Sequence, residues 1–239
     1  MTVLVVGANG TIGSACVAAA RSLGRVVAAD LKEPVFSGTS NKKIDVIDLD
    51  NVVRLVDEIE SESPLTGFIY AAGLNTTGPL DGIDWMDYER VMGVNLKGAF
   101  HFGSAILAAL RKKPRQFGSV FISSTAGLIG EAGGSIYCAS KFALIGFTQS
   151  FAGEIASFGG RANVVAPGNV DSPMLSGLAA KIGERENRPG DEVLRQWMRS
   201  SAFQRLITPE EVAATSVWLV SDQASGVSGQ TVVVDGARA

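Results

Sequence analysis

The chain has 239 residues, 46% hydrophobic and 19% charged, a balance that suits one compact soluble domain with a large core. A formal charge of −3 and a pI near 5.3 provide no basic footprint for nucleic acid or an anionic membrane surface. Its apolar runs are broken well before the ~18 residues a membrane span requires. Two cysteines in small apolar surroundings, Cys16 and Cys138, predict buried thiols in a reducing cytoplasm rather than a disulfide. One histidine and no paired-cysteine motif argue against a metal cage.

Along the chain, short β-branched runs alternate with longer segments of helical period. "TVLVV" at 2–6 reads as a first strand. It is followed by Gly7-Ala8-Asn9-Gly10-Thr11-Ile12-Gly13 and then by a helical stripe of Ile12, Ala15, Cys16, Ala19 and Leu23. Glycines at that point let the backbone turn sharply and approach a pyrophosphate, while the helix start offers unpaired N–H groups and a positive dipole end. Strand context is what makes such a glycine trio more than a tight turn. The second run, 25–29, ends at Asp30-Leu31, where an acidic residue can meet the adenosine ribose hydroxyls and repel a 2′-phosphate. This predicts NAD(H) in preference to NADP(H). A third run, at 42–46, includes Asp45 and Val46 and precedes a helix with Val52, Leu55, Val56 and Ile59 on one stripe. Further runs at 67–71, 118–123, 162–166 and 231–235 bring the strand count to seven. Nearly continuous apolar strands imply burial on both faces, so the expected fold is α/β, a Rossmann-type doubly wound parallel sheet with helices on both faces. Ligands of such sheets bind beyond the carboxyl ends of the strands.

Tyr137 and Lys141 stand four residues apart in "YCASK", on one face of an expected helix. With the glycine turn, "DVID" at 45–48, "AAG" at 71–73, "VNLKG" at 94–98, "ISSTAG" at 122–127, "NVVAPGNVDSPM" at 163–174 and "SGQTVVVDG" at 228–236, the chain resembles the short-chain dehydrogenase/reductase family from Val3 to about Gly236. The resemblance implies an oxidoreductase that moves a hydride between a nicotinamide and a secondary alcohol or ketone. Tyr137 would be its general acid/base and Ser124, chosen over Ser123 by family spacing, would hold the substrate oxygen. Lys141 would bond the nicotinamide ribose, and Asn95 would hold a water that links Lys141 to solvent. A free tyrosine titrates near ~10, and bringing it to ~7 takes about 4 kcal/mol. A cation ~4 Å away at an effective dielectric of ~20 supplies about that much, a part for which Lys141 is expected.

By the same resemblance the cofactor would be held by Gly7, Asn9, Gly10, Thr11, Ile12, Gly13, Asp30, Leu31, Asp45, Val46, Ala71, Ala72, Gly73, Pro167, Gly168, Val170, Ser172 and Met174, as well as by Tyr137 and Lys141. Residues 75–79 and a lid at about 174–204 would border the substrate. Helices around 95–112 and 137–158 would pair subunits into a homotetramer or homodimer. The sequence departs from the family pattern at Val6, at the Gly10-Thr11 spacing, which is that of the epimerase-containing branch, and at Tyr70, where asparagine is common. Two other readings are weighed against the leading one: an NAD-dependent epimerase or dehydratase, and a non-catalytic nucleotide sensor, which usually loses the Tyr/Lys pair. Among the lesser features, His101 is expected to be packed or partly exposed without a catalytic partner, Trp218 to lie in the core, and 111–115 to be a helix end and solvated turn. The arginines of 185–199 suit a mixed-charge exposed helix better than a carboxylate clasp.

Overall fold

A computed structural model of the chain describes residues 1–237. Its seven strands are β1 (Thr2–Val6), β2 (Arg25–Asp30), β3 (Ser40–Lys43), β4 (Gly67–Tyr70), β5 (Phe117–Ile122), β6 (Gly160–Pro167) and β7 (Thr231–Val234). They form one parallel sheet in the order β3-β2-β1-β4-β5-β6-β7. The helices are α1 (Thr11–Ala20), α2 (Leu49–Glu62), α3 (Trp85–Met92), α4 (Gly98–Lys112), α5 (Ser135–Ala156), α6 (Pro173–Glu186), α7 (Gly190–Ser200) and α8 (Pro209–Val220).

Period-two side-chain alternation divides the core between the two faces of the sheet. Leu4 and Val6 of β1 pack with residues of α2, α4 and α5 on one face. Val3 and Val5 pack with residues of α1 and α8 on the other. Parallel strands covered on both sides have no polar face, so β1 is buried along its whole length. Chain order reverses between β1 and β4, and that switch point opens a crevice beyond their carboxyl ends.

Three local expectations are corrected. The third strand lies at Ser40–Lys43, two residues earlier than its apolar pattern suggested. Ile44 and Val46 are apolar because they enter the core from the loop after the strand. Trp218 is 39% exposed, since α8 turns Val212, Ala213, Ser216, Leu219 and Val220 inward instead. Arg115 is half-buried rather than free in solvent: its Nε donates to the Leu65 carbonyl at 2.9 Å and its guanidinium pairs with Glu60. His101 is buried, with Nδ1 3.0 Å from the Val46 carbonyl oxygen. Cys16 and Cys138 are free and buried, and burial pushes the Cys16 thiol up to about 12.

Candidate active site

The glycine turn is built where the crevice opens. The amides of Gly7 and Ala8 donate to the Ala29 carbonyl at 2.9 and 3.1 Å, which ties the turn to β2. Gly7 has φ +81°, and a Cβ there would lie 2.4 Å from the Ala72 amide nitrogen, so only glycine fits. A Cβ on Gly13 would lie 2.0 Å from the Gly7 carbonyl oxygen, so α1 can start hard against the turn. Gly10 caps that helix without a side chain, and no side-chain oxygen occupies its first-turn amides, which belong to Thr11, Ile12 and Gly13. These bare amides and the missing Cβ atoms suit a pyrophosphate.

At the end of β2, Asp30 Oδ2 accepts from the Asn9 amide at 2.9 Å, and Asn9 Nδ2 donates to the Lys32 carbonyl at 2.7 Å. The aspartate therefore braces the glycine turn through one oxygen, with Leu31 exposed beside it. Asp45 closes a local turn by accepting from the Ile47 amide at 3.1 Å, and Val46 is buried behind it. After β4 come Ala71, Ala72 and Gly73, none with a side chain larger than a methyl group. The Ala71 amide donates to the Val6 carbonyl at 2.8 Å, so this segment runs beside the turn.

The proton-handling group sits where β5 meets α5. Ser124 caps a short 3-10 turn, accepting from the Ala126 amide at 3.2 Å, and its side chain is near enough to Tyr137 to act on the phenol. Ser123 turns the other way and donates to the Lys141 carbonyl at 3.0 Å. Lys141 is buried, its Nζ donating to the Ile122 carbonyl at 2.9 Å and standing 5.7 Å from the centre of the Tyr137 ring. The expected lowering of Tyr137 toward neutrality is not found. Burial pushes its phenol up to about 12, against the hydrogen bond from Ser124, and the charge of Glu131 adds to the rise. Burial also lowers Lys141 to about 8. Both charged forms suffer from the same lack of water.

Asn95 is fully buried in a π-helical turn, Gly93–Lys97, between α3 and α4. Its Oδ1 accepts from the Leu74 amide at 2.8 Å, and its Nδ2 donates to the Leu74 carbonyl and to Ser140 Oγ, both at 2.9 Å. Ser140 Oγ in turn donates to the Tyr137 carbonyl at 2.7 Å. The asparagine amide is thus fully engaged in joining the loop after β4 to α5.

Pro167, Gly168, Val170, Ser172 and Met174 leave the end of β6 and line the same cleft as Ile12, Ser124 and Tyr137, with a cavity of about 1070 Å³. Ser172 is already used as the α6 cap, accepting from the Leu175 amide at 3.2 Å. Asn75, Thr76 and Thr77 line the cleft, as do Leu178 and Ile182 of α6 and Trp197 of α7. Arg188, in the connection between α6 and α7, pairs with Glu186, and Arg195 of α7 pairs with Asp191, each at 2.6 Å, the mixed-charge pattern expected. Arg185 lines the cleft, its guanidinium 3.4 Å from where a Cβ on Gly133 would stand.

Sequence reading missed the Leu128–Ala132 wall, including Glu131, and the Asp235–Ala237 wall. The signal available was the Gly133-Gly134 pair immediately before α5, a place where a loop can fold back over the helix start. Asp235 carried no such signal, because its carboxylate reaches Gly168 only through the pairing of β6 with β7.

The sequence profile of the family described as enoyl-(acyl carrier protein) reductase matches residues 7–237. The chain is 30% identical over 217 residues to a 3-oxoacyl-(acyl-carrier-protein) reductase, FabG, of Chlamydia muridarum, covering 90% of this chain and 83% of that protein. It is 34% identical over 166 residues to a diacetyl reductase, (S)-acetoin forming, of Staphylococcus aureus, covering 69% of this chain and 64% of that one. Among solved structures, the ligand-free aldohexose dehydrogenase of Thermoplasma acidophilum superposes with a TM-score of 0.88 at 28% identity, covering 98% of this chain and 91% of that one. The crevice, the parallel sheet and these relatives agree: the chain belongs to the short-chain dehydrogenase/reductase family of nicotinamide-dependent oxidoreductases.

Proposed function

We propose that the protein is an NAD(H)-dependent dehydrogenase or reductase acting on a secondary alcohol or its ketone, with Tyr137 as general acid/base. The observation that carries the reading is Ser124 and Tyr137 together on the cleft wall, with the buried Lys141 Nζ 5.7 Å from the centre of the same ring. Gly7, Asn9, Gly10, Thr11, Ile12 and Gly13 would hold the pyrophosphate end of the cofactor. Asp30 and Leu31 would hold the adenosine ribose, Asp45 and Val46 the adenine, and Ala71, Ala72 and Gly73 the middle. Pro167, Gly168, Val170, Ser172 and Met174 would flank the nicotinamide end, with Lys141 on its ribose. When bound, the nicotinamide supplies or accepts the hydride at the carbinol carbon.

In the reducing direction, Tyr137 gives its proton to the carbonyl oxygen and Ser124 steadies that oxygen by hydrogen bonding. A phenol held at about 12 keeps its proton at neutral pH, as an acid must. The phenolate left behind faces Lys141, which at about 8 still carries its charge at neutral pH. In the oxidising direction the same groups work in reverse. The NAD(H) preference rests on the Asp30 carboxylate, which would accept from ribose hydroxyls and repel a 2′-phosphate.

Residues 174–204 act as a substrate lid, a role supported by Leu178, Ile182 and Trp197 on the cleft wall. Free buried thiols suit a reducing cytoplasm. The exposed rings of Phe100 on α4 and Phe142 on α5 support pairing into a homodimer or homotetramer through those helices. No described helix is long and apolar enough to cross a membrane.

The test is a panel of alcohols and ketones with each nicotinamide cofactor, followed by absorbance of the reduced ring. Tyr137→Phe should bind NADH nearly as wild type yet lose several orders of magnitude in turnover. Undiminished turnover by that variant would overturn the mechanism.

A further inference from the structure

Tyr70 ends β4 and is wholly buried among Phe68, Phe102 and Phe121. Phenylalanine would fill that aromatic cluster equally well. The hydroxyl has one use in the fold: it donates to the Val94 carbonyl at 2.6 Å. That carbonyl lies in the π-helical turn joining α3 to α4. In an α-helix its donor would be the Gly98 amide, four residues on. Here the Gly98 amide goes to the Gly93 carbonyl instead, the i+5 bond that makes the turn π-helical. The phenol thus stands in for the amide that the turn has diverted.

Gly98 leaves the space this needs. A Cβ there would be 2.3 Å from the Tyr70 hydroxyl oxygen and 2.8 Å from Val46 Cγ2. The residue after Val94 is Asn95, whose amide bonds Leu74 twice and Ser140 once. Asn95 Oδ1 and Lys141 Nζ converge on Gly73, at 3.6 and 3.4 Å from where its Cβ would stand. A carbonyl anchored to the last residue of β4 therefore sets the backbone from which Asn95 reaches toward the lysine.

We propose that Tyr70 is a positioning residue, its hydroxyl supplying the donor that Val94 loses in the π-turn and thereby fixing Asn95 beside Lys141 and α5. The proposal rests on the reading of Tyr137, Lys141 and Asn95 as the proton-handling site. Removing the hydroxyl leaves a buried carbonyl short of a donor, and the turn can relax by returning the Gly98 amide to Val94. Such a slip rotates Asn95 off Leu74 and Ser140.

The experiment compares wild type, Tyr70→Phe, Asn95→Ala and the double variant, with the best substrate from the panel. Tyr70→Phe should lower kcat about tenfold or more, since small misplacements in a site carry costs of that order, with a much smaller change in KM. In the Asn95→Ala background the same substitution should have almost no further effect on kcat, because both act on one link. The Leu74 amide, which donates to Asn95, should exchange with deuterium faster in folded Tyr70→Phe than in wild type. A lower melting temperature with unchanged kcat well below it, or multiplicative effects in the double variant, would overturn the proposal. So would failure of Tyr70→Phe to fold, which would make the hydroxyl a folding requirement rather than a positioning device. If Tyr137→Phe keeps full activity, the functional reading fails by itself, and Leu74 exchange still decides whether Tyr70 holds Asn95.

Discussion

Replacing Lys141 by methionine should stabilise the ligand-free protein at neutral pH while abolishing turnover. The buried ammonium titrates at about 8 rather than 10.5. Keeping it charged in the folded state therefore costs about 3 kcal/mol, at roughly 1.4 kcal/mol for each pH unit. Methionine has a similar unbranched shape without charge, but it leaves the Ile122 carbonyl without its donor, a loss of about 1–2 kcal/mol. The net gain is about 1–2 kcal/mol, a rise in Tm of roughly 3–6 °C for a chain of this size.

The pH dependence has a definite sign. Between pH 8 and 10.5 the unfolded lysine holds more proton than the folded one, so wild-type stability rises with pH across that window. Methionine has no proton to lose, so its advantage should shrink by about 2 kcal/mol between roughly pH 7 and 9.5. Denaturant unfolding at both pH values reads the difference. A variant less stable than wild type at pH 7, with a gap unchanged at pH 9.5, would refute the argument that burial lowers the Lys141 pKa.

Two further outcomes follow from the crevice. Gly7→Ala must place a side chain at φ +81° and a Cβ 2.4 Å from the Ala72 nitrogen, so urea unfolding should show a loss of about 3 kcal/mol or more. Asp30→Ala removes both the proposed ribose acceptor and the brace on the Asn9 amide, so both nicotinamide cofactors should bind less tightly. Fluorescence titration should find NADH weakened about tenfold more than NADPH, the equivalent of one well-placed hydrogen-bond acceptor at a charged group. An equal loss for both cofactors would assign Asp30 to the loop alone.

Much of the site was legible because its signals are local. Glycines between a strand and a helix, an acidic residue after the second strand, and Tyr137 and Lys141 on one helix turn are all short-range patterns. Their placement at the carboxyl ends of the strands then follows from the doubly wound topology. Family spacing singled out Ser124 over Ser123, and the opposite facing of adjacent residues in extended chain meant that only one of them could meet the site. Local pattern failed where an apolar residue serves a loop rather than a strand, as with Ile44 and Val46. It failed also for Trp218, which lies off the buried stripe of α8.

Alternation of apolar runs with helical periods determined the parallel sheet, since strands covered on both faces have little tolerance for polar residues. The spacing of "YCASK" determined that Tyr137 and Lys141 share a helix face. Tertiary structure alone decided how those two titrate. Their pKa values depend on the depth of burial, set where Lys141 meets the Ile122 carbonyl and Gly73 and where Glu131 lies near Tyr137. It also decided that Tyr70 meets Val94, 24 residues away, and that Asn95 meets Ser140, 45 residues away. A hydrogen bond between distant residues leaves no periodic trace in the sequence; it exists because the packed sheet and helices leave each buried donor few acceptors within reach.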